Sequence, residues 1–541
     1  MHHMLDLWFL PFLLYAETHY RFPYFLSLLY KREPEIIADT PHRIEPGVPL
    51  PLLIIIKDAH RFPCRLEQIT TEIRHGTKVV NRQQHLTQGT DFSEKCAAFT
   101  LLLDVSELEG WIEIDVKFSV LIMGRSKEYH NDNHRFSSRD PLRVFLASHP
   151  LPRFPDLYLG DPHVHSTYTE DQVEFGSPLR ETRVLAQHMG LSFFCVTDHS
   201  YDLDDRLDSY LENDPETPKW KQFQAEVDTL NQNRTDCIAV RGEELSCRNS
   251  DGRNVHLLLL GQREFIHGTG DSADRALRTK SEYSLSEALA LRSESGAAFA
   301  AHAFELVPVL QRLLLGRGEW HLKDLTHEGL SGLQILNGVV DTGFTRGIDL
   351  WTRNLLQGRR LSALAGNDAH GNFNRYRQIG IPFLTMRESP SHIFGRMRTG
   401  VFLRGAMNEQ SILQALRNGQ MILTDGPIAR VEVSPHEGLQ NNGRFGHRSL
   451  RLVLRAVSTP EFGEIASVKI ISGKVGNARE QVAFQHEGVG GLEYGTEVNV
   501  SSSRADYVRV EIWSHEAGSF DGCRHFCLTN PVWLREHLPP H

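Results

Sequence analysis

Acidic and imidazole side chains stand at or near one end of six short apolar segments in the middle of this chain. These residues are His163 and His165 in DLYLGDPHVH, Asp198 and His199 in LSFFCVTDH, Glu244 in IAVRGEEL, His256 in NVHLLLLG, His302 in GAAFAAHA, and Asp368 and His370 in LSALAGNDAH. Mixed imidazole and carboxylate donors suit Zn, Mn, Fe or Co, and do not suit a thiolate cluster or an all-oxygen calcium site. The set therefore predicts a metal-dependent hydrolase.

Two of these motifs place a pair of donors on one side of an extended chain. Because side chains alternate along a strand, His163 and His165 point the same way, and Asp368 and His370 repeat that spacing. Asp161 precedes the histidine pair, where a carboxylate could orient a ring nitrogen. Either motif alone is a weak signal, since a polar strand end facing solvent is common. Their occurrence together in one region is much stronger evidence for a metal site.

The number of donors indicates more than one metal ion. The set contains nine acids and histidines, and Glu170 and Asp171 also follow the first histidine pair. Nine exceed the four to six positions of a single ion, so we expect two or three ions, with Glu244 as a candidate bridge. His256 and His302 lie within apolar runs, where a lone histidine is more often a hydrogen-bonded core residue.

Composition narrows the class of protein. The chain has 541 residues, 40% of them hydrophobic and 23% charged, which is typical of soluble globular protein and predicts about three domains. The net charge of −10 argues against nucleic acid as the main partner, although bound metals would still permit an anionic small-molecule substrate. Seven scattered cysteines without a CxxC pair predict a reducing, cytoplasmic location.

The apolar N-terminal segment LDLWFLPFLLYA resembles the core of a signal peptide. It lacks a preceding Lys or Arg, contains Pro11, and is too short to cross a bilayer. We expect it to pack within the first domain, and we expect no membrane contact.

The secondary-structure pattern changes twice along the chain. Residues 1–150 read as a β-rich domain, with β-branched runs separated by Gly, Pro and Asp turns. Residues 155–427 alternate strand-like and helical stretches, which predicts an α/β fold built as a distorted, TIM-like (β/α)7 barrel with its site at the carboxyl ends of the strands. Residues 428–541 turn β-rich again. The fold prediction is therefore a barrel flanked by two β-sandwich-like domains.

The middle region resembles the PHP (polymerase and histidinol phosphatase) family. The matching motifs are GDPHVHSTYTED, FFCVTDHS, GEELS, VHLLLLG, AAHAF and AGNDAHG, in the family's order. The resemblance implies a distorted seven-stranded (β/α) barrel, a site of two or three metal ions, and hydrolysis of phosphoesters. The flanking segments LRNGQMILTDGP and YVRVEIWS, with CLTNPVWL, are similar to the carbaryl-hydrolase (CehA/McbA) group of that family, which also includes ester and carbamate hydrolysis.

The resemblance also implies a set of ligands. They are His163, His165, an acid at 170 or 171, His199, Glu244, His256, His302, Asp368 and His370. The family's first acid is usually in Ser-Asp-Gly, whereas this chain reads Thr169-Glu170-Asp171-Gln172. We prefer Asp171 because aspartate is the usual choice, with Glu174 as an outside alternative.

These residues suggest a mechanism. A hydroxide bridging two metal ions would attack phosphorus, while the metals would screen the substrate's negative charge. Asp198 or His199 could carry protons. Arg375 and Arg377 in NFNRYRQIG could bind the phosphate, with a solvated loop as an equal alternative.

Two other functions remain open. The same metal site could cleave a carboxylester, carbamate or amide. The chain could instead be a non-catalytic binding protein, which is the weaker reading because every expected ligand position holds a competent residue.

Overall fold

A computed structural model describes residues 31–85, 88–135, 137–170, 175–232, 236–268, 270, 279–307, 309–376, 378–381, 384–387, 392–435 and 449–534. Asp171, Glu174, Arg377 and the apolar N-terminal segment lie outside these residues. No helix in the described ranges is long and apolar enough to cross a membrane.

The described part of the N-terminal region, residues 31–146 without 86, 87 and 136, contains strands and no helix. The strands are β1 Glu35–Asp39, β2 Arg43–Ile44, β3 Leu50–Lys57, β4 Cys64–His75, β5 Lys78–His85, β6 Thr90–Phe92, β7 Cys96–Leu103, β8 Gly110–Ile122, β9 Arg125–His130 and β10 Leu142–Leu146. One sheet has the order β1-β3-β7, and a second has the order β2-β10-β8-β4-β5, with β6 and β9 pairing at its margins. The two sheets share one apolar core.

Strand β3 (LPLLIIIK) is buried along its whole length, because it has a core on each side. Leu52 and Ile54 face the core of the N-terminal region. Leu53 and Ile55 face the opposite way, into a core that includes Leu185 of the middle region. A strand covered on both faces reads as a continuous apolar run instead of an alternating one, which accounts for this segment of the sequence.

The middle region mixes strands with short helices. The strands are β11 Leu157–Val164, β12 Phe193–Val196, β13 Asp205–Arg206, β14 Ser209–Asn213, β15 Ile238–Val240, β16 Gly242–Arg248, β17 Asn254–Leu260, β18 Ala297–Ala300, β19 Gly332–Asn337, β20 Ser362–Gly366, β21 Gln378–Ile381, β22 Leu384–Arg387, β23 Arg398–Phe402 and β24 Met421–Thr424. The helices are α1 Leu179–His188, α2 Ser200–Leu203, α3 Pro218–Gln232, α4 Leu285–Leu291, α5 Val309–Leu314, α6 Thr342–Leu356 and α7 Glu409–Arg417. Short 3₁₀ turns occur at Asp324–Thr326 and Phe373–Tyr376.

The C-terminal region adds eight strands and a 3₁₀ turn, Pro460–Phe462. The strands are β25 Ile428–Pro435, β26 Ser449–Val457, β27 Ile465–Gly473, β28 Gln481–Glu487, β29 Glu493–Ser501, β30 Tyr507–Ser514, β31 Phe526–Thr529 and β32 Val532–Trp533. Strands β25, β26 and β29 form a separate sheet. The others extend a ten-stranded sheet of order β15-β12-β11-β23-β24-β31-β30-β27-β28, with β32 beside β30. This sheet continues across the position 427/428, where the sequence suggested a domain boundary.

The predicted (β/α)7 barrel is wrong. Of the described residues, 43% lie in strands and 16% in helices, and none of the sheets that they form closes on itself. The expected barrel strands fall into two open sheets, because β11, β12 and β15 belong to the ten-stranded sheet while β16 to β20 form a five-stranded sheet. Strands β16, β17 and β18 also pair antiparallel, where a (β/α) barrel requires parallel neighbours.

The two sheets touch at their margins through isolated bridges. One bridge joins Val164 to Ala369 and another joins His199 to Glu244. Near the second bridge the chain passes from β15 to β16 across Gly242, where a Cβ atom would lie 2.8 Å from the Leu259 carbonyl oxygen. A side chain does not fit there. Glycine at this position therefore allows the chain to pass directly from β15 in the first sheet to β16 in the second.

Buried ion pairs connect the three regions. The Arg43 guanidinium, 1% exposed, donates to both carboxylate oxygens of Glu461 at 2.7 and 2.8 Å. It also donates to Glu45 at 2.7 Å and to the Met189 carbonyl oxygen at 3.1 Å. A planar guanidinium that meets one carboxylate with two parallel bonds fixes orientation as well as distance. The Arg43 side chain therefore fixes the positions of N-terminal, middle and C-terminal segments relative to one another.

Another buried group makes stability depend on pH. His525 lies between Asp425 and Asp521, with ring nitrogens 3.1 and 3.2 Å from their oxygens. Burial alone would lower the pKa of His525, but the two carboxylates outweigh it and raise the pKa from 6.5 to about 9. A pKa raised by folding stabilises the protein fully below the unfolded value of 6.5, and this stabilisation is lost as the pH rises through about 9.

We therefore expect His525→Gln to flatten the decline of stability between pH 6.5 and 9. The difference from wild type is at most about 3 kcal/mol at the acidic end, by the linkage of 1.36 kcal/mol per pKa unit. Thermal or urea unfolding at several pH values measures it. His515, which is exposed and lies ten residues before His525, gives the matched control. The stability of His515→Gln should change with pH as that of the wild type does. A His525→Gln profile parallel to wild type would refute this role.

Candidate metal centre

The first histidine pair is completely buried at the end of β11. The Nε2 atoms of His163 and His165 lie 3.3 Å apart. Oδ1 of Asp368 lies 3.2 Å from the first of these nitrogens and 2.9 Å from the second. The His165 amide donates to the Ala369 carbonyl oxygen at 2.9 Å, so backbone pairing between the two sheets sets this geometry.

Glu244 lies at the centre of the cluster. Its side chain is 1% exposed. Five imidazole nitrogens surround its two oxygens at 2.8 to 3.5 Å, and they belong to His163, His165, His199, His256 and His302. One carboxylate thus contacts five histidines from four segments of the chain, and it has the position expected of a bridging ligand.

Strand pairing brings these segments together. Glu244 and His256 lie on β16 and β17, where Ser246 is paired with His256 in the antiparallel register. The Glu244 amide donates to the Asp198 carbonyl oxygen at 3.0 Å, which fixes the neighbouring His199 beside it. His302 follows β18, the next strand of the same sheet.

His370 completes the set of eight residues that the structure describes. Its ring stacks on His165 with centroids 4.0 Å apart and an interplanar angle of 5°. Three overlapping groups have donor atoms that all lie within 4.8 Å of one another: His163, His165, Glu244 and Asp368; His165, His199 and His370; and His199, Glu244 and His256. The geometry offers three overlapping positions for a cation.

The donor set fits divalent transition metals. Within the described part of the chain, Oε2 of Glu244 and Nδ1 of His199 are buried and make no hydrogen bond, although they lie 3.1 Å apart. Two acceptor atoms facing each other away from water are costly unless a cation or a proton lies between them. Imidazole with carboxylate is the combination that Zn, Mn and Fe favour.

The electrostatics of the cluster keep its two acids ionised. Burial would raise the pKa of both acids, but neighbouring histidines, among them His163, hold the pKa of Glu244 and of Asp368 well below their usual range. Burial and the neighbouring His165 lower the pKa of His199 to about 4. Burial likewise opposes protonation of His165, yet the two carboxylates raise its pKa to about 10. In this arrangement the acids are ionised and require positive charge from their neighbours.

Gln334, outside the motifs, and Thr169, inside the first of them, fix the orientation of the rings. Oε1 of Gln334 lies 2.9 Å from Nδ1 of His163 and accepts the backbone amide of His302 at 3.1 Å. Oγ1 of Thr169 lies 3.2 Å from Nδ1 of His165. Asp161, suggested for this role from the sequence, instead accepts hydrogen bonds from the side chain of Asn367 and several backbone amides.

Two of the eight residues adopt unfavourable backbone conformations. The φ angle is 28° at His302 and 52° at Asp368, in the left-handed region that favours glycine. For residues with a Cβ atom this costs about 1 kcal/mol each. Such strain persists where the surrounding structure determines the conformation, and it is concentrated at functional sites.

Asp198 holds a loop in place. Oδ1 accepts the backbone amides of Ser166 at 2.6 Å and Thr169 at 3.0 Å, and Oδ2 accepts the Ser166 hydroxyl at 2.6 Å. Both oxygens are therefore engaged with the turn that follows His165. This differs from the proton carrier that we suggested from the sequence.

The remaining predicted residues do not join the cluster in the described part of the chain. Asp171 and Arg377 are not among the described residues. Arg375 is placed by its backbone in the turn Phe373–Tyr376, and its side chain is outside the description. Glu170 pairs with Lys95 at 2.7 Å, and although burial opposes it, nearby lysines lower its pKa to about 2.

A cavity of about 290 Å³ opens beside the cluster. His199, Glu244, His256, His302, Asp368 and His370 line one side of it. Arg317 and His392 also line it, and sequence reasoning missed both because neither belongs to a recognisable motif.

Comparisons with known proteins assign no family. No protein-family model and no curated protein matches the chain. Among solved structures it is similar to a β-glucuronidase from glycoside hydrolase family 2, with 10% identity, 94% of this chain and 50% of that chain covered, and a TM-score of 0.21. A β-D-mannosidase from Dictyoglomus thermophilum gives 8% identity, 94% and 67% coverage, and a TM-score of 0.19. This chain thus spans half the length of the first, and scores this low carry no argument about fold or function.

We expect Glu244→Gln to lose bound metal. The substitution removes a negative charge that belongs to two of the three cation positions and lies beside the third. Because these positions would lose their bridging carboxylate, the metal content should fall by at least about half. Elemental analysis of purified, metal-loaded protein measures it. Glu243→Gln is the matched control, since Glu243 precedes it on β16 but accepts a hydrogen bond from Ser200 at 3.0 Å. Equal metal content in the two variants would contradict the assignment.

Proposed function

We propose that this protein is a metal-dependent phosphoesterase with a site of the PHP type. The observation that supports this most directly is the convergence of eight imidazole and carboxylate side chains, from six segments between positions 163 and 370, on Glu244 and Asp368. A purely structural role would not require so many metal-type donors around buried acids.

Two or three divalent ions, Zn, Mn or Fe, would neutralise the phosphoryl charge and activate water at neutral pH. Glu244 would be shared between positions, as its two oxygens face different sets of histidines. Gln334 and Thr169 would keep the rings of His163 and His165 in the binding orientation, a role that commonly affects metal affinity by about 10- to 100-fold.

The reaction requires a proton for the departing group. A water oxygen joins phosphorus, the bond between phosphorus and the ester oxygen breaks, and the alcohol leaves with a proton. His392 is placed for this transfer, because it lines the cavity and its Nδ1 lies 3.3 Å from the Asp368 carbonyl oxygen. A ring that donates its Nδ1 hydrogen to this carbonyl keeps Nε2 for proton exchange. Asp198 acts instead by holding the turn after His165.

The test is a substrate panel on the metal-loaded protein. We expect hydrolysis of p-nitrophenyl phosphate, loss of activity on chelation, and recovery when Mn or Zn is returned. His165→Ala should lower kcat/KM by about 100-fold or more, since it removes a ligand shared by two of the groups. His486→Ala, at an exposed histidine on β28, is the control and should match wild type.

The panel also separates the competing reactions. Hydrolysis of p-nitrophenyl acetate with no hydrolysis of phosphate esters would replace the phosphoesterase with an ester or carbamate hydrolase. Retained metal and retained activity in His165→Ala would reject the site itself.

A further inference from the structure

The turn after His165 carries a hydroxyl group that contacts two segments of the cluster. Oγ1 of Thr169 lies 3.2 Å from Nδ1 of His165, and it accepts the His199 backbone amide at 3.3 Å. Because the His165 ring meets Glu244 and Asp368 through Nε2, a hydrogen bond at Nδ1 sets the direction in which Nε2 points. The position of Thr169 therefore affects how this ring would face a metal ion.

The loop of residues 166–177, whose tip is outside the described residues, packs on the backbone of His165. Its two arms pair with each other through an isolated bridge between Glu170 and Phe175. On the return arm, a Cβ atom at Gly176 would collide with the His165 carbonyl oxygen, so a glycine there permits the close approach. A displacement of either arm of the loop therefore disturbs the surroundings of His165.

The carboxylate of Glu170 connects this loop to lysines of other segments. Its side chain is 7% exposed, and Oε2 lies 2.7 Å from Nζ of Lys95 and 3.9 Å from Nζ of Lys219. Burial opposes ionisation of Glu170, but Lys57, Lys219 and Lys95 lower its pKa to about 2. A buried carboxylate is costly to leave without positive charge, so the lysines determine where this arm of the loop lies.

Two of these lysines belong to the N-terminal region and contact both arms of the loop. Lys57 ends β3 and Lys95 immediately precedes β7, the neighbouring strand of the same sheet. Nζ of Lys57 lies 4.1 Å from the centre of the Phe175 ring, on the arm opposite Glu170. Lys95 also donates to the Leu207 carbonyl oxygen at 2.7 Å, which fixes its ammonium group beside the loop. The end of the N-terminal sheet thus holds the loop that adjoins His165.

We propose that Lys95 of the N-terminal region is a positioning residue for the metal centre. It acts through Glu170, whose ion pair keeps the adjacent Thr169 within hydrogen-bond distance of the His165 ring. The inference rests on the metal site of the proposed function, and it makes the N-terminal region part of that site. Contacts that orient a metal-binding histidine commonly change metal affinity by about 10- to 100-fold.

The test measures the zinc affinity of the full-length protein by competition with a chromophoric chelator. We expect Lys95→Met and Glu170→Gln each to weaken zinc binding by about 10-fold, the lower end of that range, because each acts through Thr169. The double variant should be no weaker than either single variant, since both changes break one ion pair. Lys95→Arg should keep most of the affinity, because it keeps the charge.

A matched control and a spectrum separate positioning from a general effect on the N-terminal region. Lys117→Met breaks an ion pair with Glu128 of 2.8 Å on β8 and β9, and it should bind zinc as wild type does. The visible absorption spectrum of cobalt-loaded Lys95→Met should differ from that of wild type, because it reports the geometry of the ligands. The cobalt spectrum of Lys117→Met should be unchanged.

The outcomes are distinguishable because metal binding is measured apart from hydrolysis. A wild type that binds no zinc overturns the metal site of the proposed function and this inference with it. A wild type that binds zinc with the same affinity as Lys95→Met overturns the inference alone. Loss of zinc in Glu170→Gln without loss in Lys95→Met would make Glu170 a ligand instead. Losses that add in the double variant would show that the two residues act separately, which also contradicts the proposal.

Discussion

A buried carboxylate surrounded by five imidazoles is the interaction on which the rest of the middle region depends. Glu244 is 1% exposed, and an ionised acid in such a place is strongly destabilising unless positive charge is close. Histidines from distant segments supply this positive charge. Each strand that carries one of them must therefore end close to Glu244. The isolated bridges between the two sheets, at Val164 with Ala369 and at His199 with Glu244, are what align those ends.

The sequence indicated which acids and histidines lie together better than it predicted the fold around them. All eight donors that the structure describes lie in one cluster, since motifs such as His-Val-His and Asp-Ala-His depend on local spacing. The arrangement of strands depends on pairing between distant segments, which local patterns do not encode. One local signal was nevertheless overlooked: Ser250-Asp251-Gly252 is a turn sequence between β16 and β17, and it predicts a hairpin, which is incompatible with a parallel barrel at that point.

The residues that sequence reasoning missed have a common property. Gln334 contacts the His163 ring and His392 lines the cavity, yet each is an isolated polar residue with no neighbouring donor to form a motif. Gln334 lies within an apolar strand, where its amide is buried and fixes both the His163 ring and the His302 backbone. A single glutamine in such a strand has many ordinary explanations, and only the three-dimensional contacts distinguish among them.

Strand β3 has a consequence for how this architecture could have arisen and how it could be altered. Its odd and even residues belong to two different cores, so the N-terminal sheet supplies part of the wall of the region that carries the cluster. Recombination that exchanged the first 150 residues for an unrelated domain would leave α1 and its neighbours uncovered. Transplanting the cluster into another protein would therefore require β1 and β3 to accompany it, because Ile37, Leu53 and Ile55 complete the core beneath it.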